Sequence, residues 1–223
     1  MIRDVVAVVG DRVATFELGI VCQVFRPGSC RRRAARPHLR GLRAARPGAI
    51  PTTSGFSVQV EHGLDRIAGA DLVAVPAWPQ LDAPVPEPLL AALREAAGRG
   101  ARVLTVCTGA FLPAAAGLLD GRCATTHWQF AGLLSRRHPR VRVDPNILYV
   151  EDGPVLSSAG AAAGIDACLH LIRLEYGAAT ANALARRLVV PAHRSGGQAQ
   201  YVEAPMPAAT HTVRAVGAAR LDS

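Results

Sequence analysis

Three short runs in which almost every residue is apolar constrain this chain more than anything else in it: Val5–Val9, Leu72–Val75 and Val103–Val106. An amphipathic strand alternates apolar and polar residues. A strand that is apolar at nearly every position must be covered on both faces. Each run is followed by helix-compatible text: 16–25, with Leu18, Val21, Cys22 and Phe25 on one face, then Glu87–Ala97, then Gly109–Leu118. The pattern continues. "RCATT" reads as a short strand and Trp128–Arg137 as a helix. Three short strands follow, Val141–Val143, Leu148–Glu151 and Val155–Ser158, with turns at Pro145 and Gly153. Ala161–Tyr176 and Ala178–Leu188 read as helices, and Phe56–Val60 alternates like a strand. This predicts an α/β fold, a flavodoxin-like three-layer sandwich with a mainly parallel central sheet and helices on both faces.

The 223 residues suffice for one large domain, expected over 1–201, with a loose tail over 202–223 that is rich in Ala and Pro. No run of 18 apolar residues lacks a charge, so no membrane span is expected. The opening "MIRDVVAVVGD" is too short and too acidic for a signal peptide, which predicts a cytoplasmic protein. Five cysteines, at 22, 30, 107, 123 and 168, form no CxxC pair. Neither a disulfide framework nor a zinc site is expected, and no cofactor.

The net charge of +8 has one source. Arg26, Arg31, Arg32, Arg33, Arg36, Arg40, Arg43 and Arg46 fall in a segment without an acid. Without these eight the chain balances, 17 basic against 17 acidic residues. Pro27, Pro37 and Pro47 break the segment, so it reads as a solvated loop, or as an arm for anions, rather than a basic helix.

Cys107 stands where the third buried strand ends and a helical segment begins, "VLTVCTGAF". Open α/β sheets bind ligands beyond the carboxyl ends of their strands. Free N–H groups and a helix dipole at that point predict a lowered thiol pKa. With Gly109 two residues on, the spacing is that of a nucleophile elbow with Cys in place of Ser.

Several stretches carry a family resemblance: "FELGIVCQVF" (16–25), "TSGFSVQVEHGLD" (53–65), "ADLVAVPAW" (70–78), "VCTGAFLPAAAGLLDGRCATTHW" (106–128), "SSAGAAAGIDACLHLIR" (157–173) and "HRSGGQAQY" (193–201). Together they resemble the ThiJ/PfpI group of the class I glutamine-amidotransferase-like superfamily. They are most similar to the amidase-like N-terminal domain of GlxA-type regulators, which carry an AraC-type helix-turn-helix domain after it. The resemblance implies that Glu17 approaches Cys107 as an acid able to donate a hydrogen bond to a thiolate. It implies a pocket bordered by Ala77, Trp78, Thr108, Gly109, Ser158, Ala159 and Gly160. His127 in "TTHW" is a candidate base, and Asp166 in "AGID" a helix cap beside the pocket. The family's hydrolases usually place His after the elbow cysteine. Thr108 stands there instead, which argues against protease or deglycase activity. Ala77 replaces a common Gly but keeps its oxyanion-binding N–H.

Three functions follow from the resemblance. One is a ligand-sensing domain for an unidentified small molecule. Another is a cysteine-dependent hydratase or amide hydrolase using Cys107 and Glu17. The last is a redox sensor oxidised at Cys107. The resemblance also implies a homodimer. Only 22 residues follow Tyr201, so the AraC-type domain, and with it sequence-specific DNA binding, is expected to be absent.

Overall fold

The computed structural model describes residues 1–26 and 37–200. In chain order the elements are β1 (Asp4–Val8), α1 (Thr15–Val24), β2 (His38–Arg43), β3 (Gly48–Pro51), β4 (Ser57–Val60), β5 (Leu72–Val75), α2 (Glu87–Gly98), β6 (Arg102–Val106), α3 (Phe111–Ala115), β7 (Cys123–Ala124), α4 (Trp128–Arg137), β8 (Arg142–Val143), β9 (Tyr149–Asp152), β10 (Val155–Ser158), α5 (Ala162–Tyr176) and α6 (Ala178–Leu188). A 3-10 turn at Cys107–Ala110 joins β6 to α3, and another spans Leu64–Gly69.

The central sheet runs β2-β1-β5-β6-β10-β9. All its pairs are parallel except β9 against β10. The three apolar runs supply the middle strands, and each sends alternate side chains to opposite cores. Val5, Ala7, Leu72, Ala74, Leu104 and Val106 face α1, α5 and α6. Val6, Val8, Val73, Val75 and Val103 face α2, α3 and α4. This is the expected three-layer sandwich, and it explains why these strands tolerate so few polar residues.

The arginine segment departs from expectation. Instead of a solvated loop, part of it forms β2, the sheet's edge strand beside β1. Arg40 Nε donates to Asp4 at 2.5 Å, and Arg46 pairs with Asp11. Arg43 is 1% exposed, and its guanidinium donates to the Leu42 and Arg40 carbonyls. A buried guanidinium must find acceptors, and this one finds them on its own strand. Arg31, Arg32, Arg33, Arg36 and Cys30 lie outside the described residues, as does the expected tail after Tyr201.

Candidate functional site

The site forms where β6 ends. Cys107 has φ 58°, the left-handed region that costs a residue with a Cβ roughly 1–2 kcal/mol. The strain turns the chain from strand into the 3-10 turn within one residue, as an elbow requires. Two glycines make room. A Cβ on Gly109 would overlap the Val75 carbonyl oxygen and lie 2.6 Å from that of Pro76, so this glycine lets the elbow press against the end of β5. A Cβ on Gly160, where φ is 89°, would overlap Cys107 Cβ and lie 2.8 Å from its Cα. The chain at 159–160 therefore packs directly on the backbone and Cβ of the cysteine.

Thr108, the departure from the hydrolase pattern, has a clear role. Its Oγ1 accepts the Trp78 N–H at 2.9 Å, and both its backbone N–H and its hydroxyl serve the Cys107 sulfur, favouring thiolate. The Trp78 ring meanwhile lines a cleft of about 340 Å³ with Gly10, Arg46 and Gln80, at the carboxyl ends of β1 and β5. The elbow is thus tied through one hydrogen bond to the wall of a small-molecule-sized cavity.

The expected low thiol pKa is reversed. Cys107 is pushed up to about 11, chiefly by burial, with the Glu17 carboxylate adding to the rise and the two Thr108 contacts opposing it. The helix supplies little counterweight. The Gly109–Leu118 segment read from the sequence is a four-residue 3-10 turn followed by the five-residue α3, so few aligned peptide dipoles point at the sulfur. At 8% exposure, desolvation wins. Burial also raises Cys22, Cys123 and, up to about 12, Cys168.

Two other readings change. Asp166 does not cap α5, which begins at Ala162; it lies in the second turn, buried, with its Oδ2 3.5 Å from Arg194. Burial raises its pKa while Arg194 and His193 lower it. His127 caps a different helix, α4. Its Nδ1 accepts the Gln129 N–H at the start of α4, and its ring stacks on Trp128 at 5.7 Å between centroids. Its Nδ1 is committed to the helix. The structure therefore gathers Cys107, Thr108, Gly109, Trp78 and Gly160 at one point, with Glu17 acting on the sulfur through its charge. Ser158 is buried beside them, its hydroxyl donating to the Thr105 carbonyl at 2.9 Å.

Sequence reasoning missed Thr126, whose Oγ1 donates to the Cys107 carbonyl at 2.8 Å. It also missed Gln200, whose carboxamide bonds the same threonine's backbone. Both sit inside quoted motifs, but neither type nor spacing marks them out.

A left-handed cysteine at the carboxyl end of a parallel strand, buried in a three-layer sandwich, defines an α/β protein of the nucleophile-elbow class. The DJ-1/PfpI family matches residues 3–174, and the chain belongs to that family. Among relatives, the HTH-type transcriptional regulator CdhR of Pseudomonas aeruginosa is 33% identical over 130 residues, 58% of this chain and 38% of that protein. The isonitrile hydratase of Pseudomonas putida is 39% identical over 90 residues, 40% of this chain and 38% of that protein. The crystal structure of an AraC family transcriptional regulator from Pseudomonas putida shares the fold, with a TM-score of 0.71 at 20% identity, over 84% of this chain and 100% of that one. The matches thus span less than two fifths of the regulator and of the hydratase. No helix among the described residues is long and apolar enough to cross a membrane.

Proposed function

We propose that this chain is a cytoplasmic ligand-sensing domain of the kind found in GlxA-type regulators, binding a small molecule between the Cys107 elbow and the Trp78 wall. The supporting observation is the state of the thiol. A cysteine pushed up to about 11, chiefly by burial, is held neutral, suited to contact a ligand rather than to attack it. The Nδ1 of the candidate base His127 accepts the Gln129 N–H at the start of α4. The match to CdhR points the same way.

The test is a thermal-shift screen of small amines, amides and nitrogen metabolites, with turnover measured for every hit. A ligand at 100 times its Kd adds about 2.7 kcal/mol of stability. The expected result is a saturable rise in Tm, reduced in Thr108→Val, with the hit unchanged after incubation. A panel in which nothing stabilises the protein overturns the reading.

A second reading rests on the 39% identity to the isonitrile hydratase together with the Cys107–Thr108 pair and Glu17. In it the Cys107 sulfur adds to an electrophilic carbon, Glu17 moves the proton, and the N–H groups of Thr108 and Ala77 face the developing anion. Consumption of a hit, abolished by Cys107→Ala, would select this reading.

A further inference from the structure

Residues 193–200 cross back over the molecule and meet the elbow by two separate routes. On one, the Gly196 carbonyl accepts the Leu148 N–H at 2.7 Å; the Leu148 carbonyl accepts the Ala159 N–H at 2.8 Å; and Gly160, next in the chain, is packed on Cys107. On the other, the Gln200 side-chain nitrogen lies 2.9 Å from each of the Thr125 Oγ1, the Thr126 carbonyl and the Ile147 carbonyl. The Thr126 hydroxyl in turn donates to the Cys107 carbonyl. The Gln200 carbonyl oxygen accepts the Trp128 N–H at 2.9 Å, so both ends of this carboxamide are used.

The strap is fastened along its length. The Tyr149 hydroxyl donates to the Arg194 carbonyl at 2.8 Å, and the Arg194 guanidinium pairs with buried Asp166 on α5. Gly196 has no side chain because a Cβ there would strike the Tyr149 carbonyl oxygen. One short segment thus grips the loop packed on the cysteine, the residue holding the cysteine's carbonyl, and the helix that follows the loop.

We infer that the 193–200 strap is a relay: a group bound at Cys107 displaces the Gly160 loop or the Thr126 contact and thereby loosens the strap, while release of the strap opens the elbow. The physical basis is space. A Cβ at Gly160 would meet the Cys107 Cβ, Cα and N, so a shift of the cysteine forced by a group added at its sulfur is passed to 159–160, and 159 is bonded through Leu148 to Gly196. Packed elements answer such displacement by changing arrangement rather than by stretching. Coupling between two sites is also reciprocal. The relay deepens the sensing reading, and its biological use rests on that reading. Its existence is tested with a thiol reagent, so the two can fail separately.

The forward arm compares the rate of Cys107 alkylation by iodoacetamide, read by mass spectrometry at pH 9, in the full chain and in Gln200→Ala, Gln200→Glu and Gln198→Ala. Gln200→Glu keeps the acceptor for Trp128 and loses the two N–H donors shared among three acceptors, so it separates release of the strap from misfolding. Both Gln200 variants are expected to raise the rate at least about fivefold, the lower end of usual coupling. The exposed Gln198 variant should not change it. The reverse arm measures amide hydrogen exchange in protein carrying the acetamide adduct at Cys107. The Leu148 and Tyr149 amides, bonded to the strap's Gly196 carbonyl, and the strap's own Gln200 amide, bonded to the Asn146 carbonyl, are expected to exchange at least about fivefold faster, by the reciprocity of coupling. If folded Gln200→Glu alkylates as the parent does, or the adduct leaves those amides unchanged, the relay is refuted.

Discussion

Gly160→Ala tests whether the chain at 159–160 packs against the elbow. The new methyl would have to share space with Cys107 Cβ and lie 2.8 Å from its Cα, well inside the 3.5–4 Å of ordinary carbon contact. Neither side can yield cheaply. Cys107 is itself strained at φ 58°, and Ala161 beyond the loop has φ 46°. The φ of 89° adds about 1–2 kcal/mol for any residue with a Cβ, and overpacking a well-filled site adds roughly 1–3 kcal/mol. The expected loss is therefore about 2–5 kcal/mol, a large share of a typical domain's 5–15 kcal/mol. Urea unfolding followed by circular dichroism measures it, with Gly197→Ala as control. Gly197 has nothing within 4 Å of a built Cβ, so its variant should stay within about 0.5 kcal/mol of the parent. A Gly160→Ala loss below about 1 kcal/mol at unchanged m would mean that the loop does not bear on the cysteine, and the packed-elbow geometry would be wrong.

Glu17→Gln removes a charge that raises the Cys107 pKa, so the thiolate fraction at a fixed pH must increase. Since each unit of pKa is tenfold in thiolate, alkylation at pH 8 should quicken roughly three- to tenfold, with Cys168 as the unchanged internal reference; an equal or slower rate would place Glu17 elsewhere than beside the sulfur. For the parent chain, alkylation of Cys107 should keep rising through pH 9 towards a midpoint near 11, and a plateau by pH 8 would contradict the burial argument. The apolar groove of about 380 Å³ between α1, α5 and α6 leaves Phe16 57% exposed, so a homodimer through it is expected. Light scattering should then give twice 23.4 kDa, falling to one chain in Phe16→Glu; a monomeric parent at micromolar concentration refutes this. Binding to duplex DNA at about 0.15 M salt should be micromolar or weaker and blind to sequence, because Arg40 and Arg46 are paired and Arg43 is buried; nanomolar preference for one duplex in a mobility-shift assay would show a reading element that this account lacks.

The sandwich and its elbow are legible in the sequence because both are written in local pattern. Strands covered on two faces must be largely apolar, and Leu72–Val75 forms where that rule puts it; Val155–Ser158, with two serines, also forms with the bounds read for it. The helices at Trp128–Arg137 and Ala178–Leu188 likewise match their reading residue for residue. The cysteine at a strand end, two residues before a glycine, needs no distant partner to be noticed. What the tertiary structure decided is everything that depends on what lies opposite. The stretch His38–Arg43 carries no apolar run, yet it pairs with β1 because a sheet edge supplies backbone partners to any sequence. Arg43 is buried with its two terminal guanidinium nitrogens on its own strand's carbonyls, which no spacing announces. Gly109 is needed for the approach of β5 rather than for its own backbone angle. Asp166 reads as a cap only until the helix start is known. The thiol's direction of shift reversed for the same reason: a helix start can be inferred from one segment, but desolvation is the sum of all the atoms that bury the sulfur, and the opposing charge comes from Glu17 on α1, far off in the chain and brought near only by folding.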